Sequence, residues 1–422
     1  MQAFDYRHGR LFAEDVDLDA LAAEVGTPAY VYSAGFMRAR LGRLLRAFAT
    51  ERALVCYAIK ANHHLAVIRT LSQAGAGADT VSGGEIKRAR AAGVPPERIV
   101  FAGVAKADDE IRLALGEGIL QFNVESSPEL IRIAELATAM GKTAPVALRI
   151  NPDVAAATHD KISTGRKSDK FGVPLGEAAA LFRLAAELPG IEPVGLHLHI
   201  GSQITTLGPY ETAYGRAFEL FRALRAEGLP LRRVDLGGGL GVRYGDETPP
   251  EPEAFAAMIR PMVQGLDVEL VLEPGRWLVA DAGLLLASVI YLKEGADRRF
   301  LVLDTGMNTL LRPAMYGARH PIEPVRRPGP EERQEPMDVV GPICESSDIF
   351  GRDYVLPLLK PQAKVAIRMA GAYGVVMSST YNSRPGPAEI MVDGDRWAII
   401  RPRIEPEQQF ANERIPGWLL QP

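Results

Sequence analysis

The chain has 422 residues, of which 47% are apolar and 24% are charged, with a formal net charge of -4. This length and composition suit two globular domains, one of which has room to be a large barrel, and they exclude a disordered or low-complexity chain. The weakly acidic balance offers no basic surface for nucleic acid, so we expect chemistry on a small molecule.

The sequence predicts neither a signal peptide nor a cysteine framework. Residues 1–10 are polar and lack the apolar core of a signal peptide, and no later stretch has the length needed to span a bilayer. We therefore expect a cytoplasmic protein that does not contact a membrane. Two cysteines, Cys56 and Cys344, cannot build a disulfide framework or a zinc site, so we expect no metal.

The N-terminal part of the chain predicts a strand followed by a helix. A β-rich segment at residues 28–32 precedes a basic amphipathic helix that begins near Ala34. We expect this strand to complete a domain formed mainly by a later part of the chain.

From there, apolar runs alternate with helical patterns. Eight such units over about 240 residues have the size of a (β/α)8 barrel, in which sites lie at the carboxyl ends of the strands. The predicted strands are residues 55–60, 78–82, 99–103, 119–125, 145–150, 194–200, 233–239 and 268–274.

One helix of the barrel is well marked. Ser127 can cap it and Pro128 suits its first position. Its expected apolar face consists of Leu130, Ile131, Ala134 and Leu136.

The pattern changes after Arg276. Residues 284–292, 300–303, 364–369 and 398–401 predict antiparallel strands, with a Pro-rich polar connection at residues 321–336. The sequence therefore predicts an α/β barrel domain at residues 34–282 and a second, all-β domain formed by residues 1–33 and 283–422.

The carboxyl ends of the predicted barrel strands carry reactive and phosphate-compatible side chains. Their shared position at one mouth of a barrel is our main reason to expect a site there. These residues are Lys60, Asp79, Ser82, Arg149, Asn151, His199, Gly201, Ser202, the glycines at 237–239 and 241, Glu273, Gly275 and Arg276.

Lys60 has two interpretations. A lysine at a strand end can simply extend its ammonium to water while its stem packs. At the mouth of a barrel, its amine can instead form a Schiff base with a carbonyl cofactor.

The glycine run and the late glutamate each allow two interpretations as well. In the first interpretation, the run at residues 237–241 lets backbone N–H groups approach a phosphate, which Arg276 could also bind. In the second, the run forms a tight turn that needs positive φ. A dinucleotide fingerprint does not fit, because Val242 stands where the third glycine belongs. Glu273 can pair with the protonated ring nitrogen of a cofactor, which favours decarboxylation, whereas an arginine at this position would favour racemisation. The alternative is that Glu273 forms a salt bridge at the barrel mouth.

His199 follows His197 at an alternate position, so both point to one side of their strand. A histidine on a strand is often a satisfied core residue. Because only His199 lies at the strand exit, beside Gly201 and Ser202, we expect its ring to stack on a flat cofactor.

Six motifs together carry a family resemblance. They are Tyr-Ala-Ile-Lys-Ala-Asn at 57–62, His-Ile-Gly-Ser-Gln at 199–203, the glycine loop after Asp235, Glu-Pro-Gly-Arg at 273–276, Cys-Glu-Ser at 344–346 and Ala-Gly-Ala-Tyr-Gly at 370–374. In this order they resemble the fold-type III pyridoxal-phosphate decarboxylases, over nearly the whole chain. The resemblance implies the alanine racemase-like fold of a (β/α)8 barrel plus a β-domain.

The resemblance also implies roles in binding pyridoxal 5'-phosphate. Lys60 holds the cofactor through a Schiff base, His199 stacks on its ring and Glu273 pairs with the ring nitrogen. The remaining cofactor contacts that we expect are Asp79, Ser202, Gly238, Gly239, Gly275, Arg276 and Tyr373.

Cys344 resembles the family's proton donor, which reaches the site from a partner subunit. The resemblance thus implies a homodimer with shared active sites, to which the partner supplies Cys344 and Glu345. The alternative for Cys344 is a small buried apolar residue.

The substrate expectation rests on the far end of the pocket. Meso-2,6-diaminopimelate carries an ammonium and a carboxylate on its distant centre, which Glu345 and Arg312 can bind. The family's substrate contacts correspond to Arg276, Arg312, Tyr316, Glu345 and Tyr373.

We therefore expect decarboxylation of this substrate to L-lysine and carbon dioxide, the last step of lysine biosynthesis. The alternatives are an ornithine or arginine decarboxylase, an amino-acid racemase, or a non-catalytic cofactor carrier, and Arg312 can also be a surface salt-bridge partner.

The polar connection at residues 153–172 is long for a barrel loop. It carries the cations Lys161, Arg166, Lys167 and Lys170. It predicts a lid over the site or, as the alternative, a merely solvated loop.

Overall fold

The computed structural model describes residues 2–154, 170–329 and 331–420. In it the chain forms two units, Phe36–Ala280 and a discontinuous unit of Met1–Gly35 with Asp281–Pro422. The predicted lid at residues 153–172 falls largely outside the described residues.

The N-terminal segment contributes a small antiparallel sheet and one longer strand. The sheet is β1-β2-β3 and precedes helix α1, which begins after Asp17; the Asp17 carboxylate accepts the backbone N–H of Asp19 over 2.9 Å. The bounds are β1 (Phe4–Arg7), β2 (Arg10–Ala13), β3 (Val16–Asp17), α1 (Leu18–Val25) and β4 (Ala29–Ser33).

Eight parallel strands close into a barrel, which confirms the predicted fold. The ring order is β9-β11-β12-β13-β5-β6-β7-β8, β8 pairs back to β9, and β10 pairs with β9 outside the ring. The strands are β5 (Ala53–Ala58), β6 (Gly77–Thr80), β7 (Ile99–Phe101), β8 (Gln121–Val124), β9 (Ala144–Asn151), β10 (Val173–Pro174), β11 (Ile191–His197), β12 (Arg233–Asp235) and β13 (Glu269–Leu272).

The barrel strands are shorter at their carboxyl ends than most of the predicted runs. The ladder of hydrogen bonds stops where the chain turns outward, so Lys60, His199 and Glu273 all lie just beyond a strand. Most of the apolar strand residues are buried, as expected for a parallel sheet that is covered on both faces.

Helices follow the barrel strands and pack on the outside of the ring. The expected helix near Ala34 is confirmed as α2. The helices of this part of the chain are α2 (Ala34–Ala47), α3 (Leu65–Gln73), α4 (Gly83–Ala91), α5 (Asp108–Glu117), α6 (Ser127–Ala139), α7 (Leu175–Glu187), α8 (Gly208–Ala226), α9 (Pro252–Val263) and α10 (Arg276–Val279), with 3-10 turns at Ile59–Ala61 and Pro96–Arg98.

Three details predicted for α6 are wrong, since Pro128 is also its second residue rather than its first. The cap is Ser126, whose Oγ accepts the backbone N–H of Glu129 over 3.3 Å, so Ser127 is the first helical residue. Ile131 is 40% exposed, because the buried stripe runs from Leu130 at i, i+3, i+4 and i+7 and leaves position 131 on the outer face.

The second unit is mostly sheet, as predicted. Its long strand β14 pairs with β4, β15 and β19, which confirms that the N-terminal strand completes this domain. The elements are β14 (Gly283–Glu294), β15 (Arg299–Leu303), α11 (Arg312–Tyr316), β16 (Ile322–Pro324), β17 (Gln334–Val340), β18 (Ile349–Pro357), β19 (Lys364–Ile367), β20 (Ala388–Asp393), β21 (Arg396–Arg401) and α12 (Pro406–Gln409), with 3-10 turns at Val375–Met377, Tyr381–Ser383 and Gly417–Leu419.

Not all of this sheet is antiparallel. β15 pairs with β17 in parallel, and β20 pairs with β4 in parallel. The Pro-rich connection at residues 321–336 is also more ordered than expected, because it contains β16 and the start of β17. Among the described helices, none has the length and apolar character needed to cross a bilayer.

Candidate active site

Lys60 leaves the barrel at the end of β5 on a single 3-10 turn. Its Nζ lies 2.8 Å from Oδ2 of Asp79, which lies in β6. The lysine side chain is 35% exposed, whereas Asp79 is fully buried. Burial, with the charge of Glu273, raises the pKa of Asp79 to about 6 although the Lys60 cation opposes the shift. An amine therefore stands at the barrel mouth with a buried carboxyl group beside it.

Glu273 follows β13 and turns its carboxylate into the barrel. It accepts a 3.0 Å hydrogen bond from Asn123 Nδ2, and its Oε2 lies 3.2 Å from His197 Nε2. Burial would raise the pKa of Glu273, but His197 and the charge of Lys60 outweigh burial and lower the pKa to about 2. The group is therefore a buried anion.

Amide side chains inside the barrel hold two carboxyl groups together. Asn123 also donates to Asp235 Oδ2 over 3.1 Å, and Gln121 Nε2 donates to Asn123 Oδ1 over 2.7 Å. Burial and then the charge of Glu273 raise the pKa of Asp235 well above its ordinary value. The two pKa values are therefore shifted in opposite directions, upward for Asp235 and downward for Glu273.

Sequence reasoning missed Gln121, Asn123 and the contact made by His197. The signal was available, because Gln121 and Asn123 alternate along one buried strand and so point to the same side. Possible metal-ligand atoms within 4.8 Å of one another are supplied by His197, Asp235 and Glu273. However, the Asn123 amide donates to both carboxyl groups, and its N–H groups oppose a cation there.

His199 lies beyond the end of β11 and is a neutral imidazole. Burial, with the charges of Arg149 and Lys60, lowers its pKa well below the ordinary value. Its Nδ1 accepts the backbone N–H of Gly238 over 3.2 Å, so the ring proton is on Nε2. Arg149, whose Nη1 lies 2.7 Å from Glu125 Oε1, is itself buried.

The glycine run after β12 forms a crowded turn. Gly237 and Gly239 have φ values of +63° and +102°, so the conformational interpretation of these glycines holds. A Cβ at Gly239 would also meet the Tyr210 hydroxyl at 2.9 Å, and one at Gly275 would meet Ala58 Cβ at 3.1 Å. Glycine is needed here because the backbone carbonyls of Leu198, Glu273 and Gly201 occupy the space that side chains would take.

Arg276, the first residue of α10, is buried and contacts two hydroxyl groups. Its Nη1 donates to Tyr244 over 2.9 Å and its Nη2 donates to Ser202 over 3.1 Å. Two of the predicted phosphate contacts are thus adjacent.

Two other strand-end residues have local roles: Ser82 caps α4 by accepting from Glu85 N, and Asn151 accepts from Asp153 N.

The predicted residues of the second unit lie on α11 and on two turns. Arg312 begins α11 and is buried, with Nη1 2.8 Å from His320 Nε2, which excludes a surface salt bridge as its role. Tyr316 ends the same helix and is half-buried. Tyr373 is also half-buried and adopts φ +55°, a left-handed conformation that is rare for a bulky residue.

Cys344 is exposed, so the alternative of a buried apolar residue is wrong for it, whereas Cys56 is buried. Glu345 is exposed and accepts a 2.5 Å hydrogen bond from the Tyr381 hydroxyl. Asp348, a buried carboxylate, fixes this turn by accepting from Ile343 N and Met307 N, each over 2.6 Å.

Comparison with known proteins agrees with this geometry. Residues 35–280 match the family described as "Pyridoxal-dependent decarboxylase, pyridoxal binding domain". A diaminopimelate decarboxylase of Zymomonas mobilis is 45% identical over 99% of this chain and 100% of that protein.

Two solved structures are also similar along nearly their whole length. The diaminopimelate decarboxylase of Helicobacter pylori, complexed with L-lysine, shares 42% identity at a TM-score of 0.91 and covers 94% of this chain and 99% of that one. The enzyme of M. jannaschii, also with L-lysine, shares 38% identity at a TM-score of 0.94 and covers 99% of both chains.

The chain belongs to the pyridoxal-dependent decarboxylases, and the predicted enzyme class and cofactor are confirmed. Within that class it belongs to the diaminopimelate decarboxylase family.

The residues present fit pyridoxal phosphate. An amine, a buried anion and a neutral imidazole surround the same barrel mouth, together with the Arg276 guanidinium and the Ser202 hydroxyl. In addition, Asp79 Oδ1 is buried and has no hydrogen-bond partner among the described residues. The amine matches the aldehyde carbon of the cofactor, the buried anion its ring nitrogen and the imidazole its ring face. The guanidinium and the hydroxyl match its phosphate.

Proposed function

We propose that this protein removes carbon dioxide from the D-centre of meso-2,6-diaminopimelate and yields L-lysine. The observation that carries the substrate assignment is the guanidinium of Arg312, which is buried and lies 2.8 Å from His320 Nε2. A planar guanidinium suits a carboxylate, and the far carboxylate of this substrate is a fitting partner.

In this proposal the barrel residues bind the cofactor. Lys60 holds its aldehyde carbon with Asp79 beside the amine, and His199 lies against the ring as a neutral group. The phosphate would be held by Arg276 and Ser202, whose side chains are hydrogen-bonded to each other, with Gly238, Gly239 and Gly275 as nearby backbone contacts. Tyr373 is a further phosphate contact that the family resemblance predicts.

When bound, pyridoxal phosphate supplies a ring that accepts the electron pair of the breaking carbon–carboxylate bond. Glu273 supports this chemistry because it is ionised and buried, so it holds a proton on the ring nitrogen. Asn123 and His197 orient the carboxylate of Glu273.

Cys344 then gives a proton to the carbon that has lost carbon dioxide. Its exposure on the turn fixed by Asp348 makes the thiol accessible to another subunit. Glu345, on the same turn, binds the far ammonium, while Arg276, Tyr316 and Tyr373 complete the substrate contacts. A cytoplasmic location stays a prediction of the sequence.

The experiment for the substrate is an assay of carbon dioxide release from meso-diaminopimelate, ornithine and arginine. We expect activity on the first and little on the others, because they have no far carboxylate for Arg312. A preference for ornithine or arginine would contradict the proposed substrate. Racemisation without release of carbon dioxide would contradict the proposed reaction, and cofactor binding without turnover would indicate a non-catalytic carrier.

The homodimer with shared sites has its own test. The variants Lys60→Ala and Cys344→Ala should each be inactive alone. If the partner supplies Cys344, mixing them should restore activity towards roughly a quarter of the wild-type value, because about half of the dimers are hybrids with one complete site. No recovery after verified subunit exchange would contradict shared sites.

A further inference from the structure

We infer that His320 is a positioning residue for substrate recognition, because its neutral imidazole fixes the guanidinium of Arg312. The inference rests on the proposed function, in which Arg312 binds the far carboxylate. His320 is fully buried and lies eight positions after Arg312 in the chain.

The hydrogen bonds of His320 determine which ring nitrogen carries its proton. Nδ1 lies 2.8 Å from the carbonyl oxygen of Arg368, and a carbonyl can only accept. Nδ1 is therefore the donor. The lone pair of Nε2 accepts from Arg312 Nη1 over 2.8 Å, so the ring is neutral in this arrangement.

The local fold explains why these two residues meet. Helix α11 ends at Gly317, whose φ of +62° reverses the chain, and Gly317 N donates to Pro313 O over 2.9 Å. The returning chain places His320 against the start of the helix. The Tyr354 hydroxyl donates to the His320 carbonyl over 2.7 Å and secures the backbone there.

A neutral acceptor suits this position better than a carboxylate would. An arginine side chain has many rotamers, and ordering them costs free energy that a ligand would otherwise have to supply. One fixed nitrogen orients the planar fork before the ligand arrives. Because imidazole carries no negative charge, His320 orients Arg312 without adding a counter-charge of its own.

Two substitutions separate the two bonds of the ring. His320→Asn places an amide near Nδ1, so it can still donate to the Arg368 carbonyl but has no acceptor for Arg312. His320→Gln reaches the position of Nε2 and offers an amide oxygen to Arg312. Both variants are polar and smaller than, or similar in size to, the native ring, and their thermal unfolding reports whether each one folds.

The probes are L-lysine and 1,5-diaminopentane, titrated into the holoenzyme by calorimetry. L-lysine keeps the far carboxylate, whereas the diamine has none. We expect His320→Asn to weaken L-lysine binding about tenfold, equivalent to ~1.4 kcal/mol, and His320→Gln to weaken it by less than about threefold. Binding of the diamine should stay within about twofold in both variants.

Three results would overturn the inference. Wild-type affinity of His320→Asn for L-lysine would remove the positioning role, and equal losses for both probes would indicate a general structural role instead. A further loss when His320→Asn is added to Arg312→Met would show that the histidine acts independently of Arg312. The assay of the wild-type enzyme on meso-diaminopimelate tests the proposed function separately, so the two failures are distinguishable.

Discussion

The side-chain amide of Asn123 donates a hydrogen bond across the barrel interior to Glu273, with 3.0 Å between Nδ2 and Oε1. The same nitrogen donates to Asp235, whose pKa is raised well above its ordinary value by burial and by the charge of Glu273. Against the effect of burial, His197 and Lys60 lower the pKa of Glu273 to about 2, so the proposed function assigns to Glu273 the carboxylate that faces the cofactor's ring nitrogen.

We predict that Glu273→Gln lowers kcat by about 10²- to 10³-fold, because it keeps the shape of the side chain and removes the charge that stabilises the protonated ring. Cofactor content, measured by absorbance, should be largely retained. Glu253→Gln, at an exposed position of α9, is the control and should leave kcat unchanged. A loss of activity that only follows loss of cofactor would refute this role.

Asp79 predicts a pH dependence of stability in the cofactor-free protein. Burial raises its pKa from the ordinary 3.8 to about 6, so the folded state favours the protonated carboxyl. The stability contributed by that proton is fully present below about pH 4 and is lost as the pH rises through about 6.

Urea unfolding of the wild type and of Asp79→Asn at several pH values measures this contribution. The free energy of unfolding of the wild type, relative to the variant, should fall by on the order of 2 to 3 kcal/mol between pH 4 and pH 7. A relative stability that rises over this range would mean that the pKa is lowered instead.

The ion pair of Arg149 and Glu125 should matter for stability. Both side chains are buried, and Glu125 also accepts from Gly172 N over 2.9 Å. Glu125→Gln leaves a buried cation without its counter-charge and should cost about 3 to 5 kcal/mol in the free energy of unfolding. The matched control is Glu227→Gln, which breaks the exposed pair with Arg183 and should cost less than about 1 kcal/mol. Similar losses of unfolding free energy in the two variants would show that burial does not make the pair of Arg149 and Glu125 more important for stability than the exposed pair.

Gly239→Ala should weaken binding of pyridoxal phosphate, measured by fluorescence titration of the cofactor-free protein. Gly239 combines φ +102° with a neighbouring Tyr210 hydroxyl that a Cβ would approach to 2.9 Å. Gly228→Ala is the control, because Gly228 has φ +93° but nothing within 4 Å of the added carbon. We expect at least about tenfold weaker binding for Gly239→Ala only; equal effects would mean that backbone strain, not crowding at the site, is responsible.

The sequence predicted the barrel well because its strands depend on short-range patterns, although most of the predicted strands end one to four residues too late. Runs of apolar residues mark buried strands, and Lys60, His199 and Glu273 stand where those runs stop. The contacts inside the barrel could not be predicted in the same way. Asn123 and Asp235 are 112 residues apart and meet only because the sheet closes on itself.

The second unit shows the same limit. Parallel pairing of β15 with β17 depends on a connection whose path a local pattern does not encode. His320 was not singled out, because a histidine after a short helix carries no signal until the turn at Gly317 brings it back to Arg312.

The most direct test of the central claim is borohydride reduction of the holoenzyme followed by peptide mapping. Reduction links the cofactor permanently to the amine that holds it. We expect the label on Lys60, and we expect Lys60→Ala to lose both the label and the activity. A label on another amine, such as Lys106, whose Nζ is paired with Glu129 inside the barrel unit, would contradict the account.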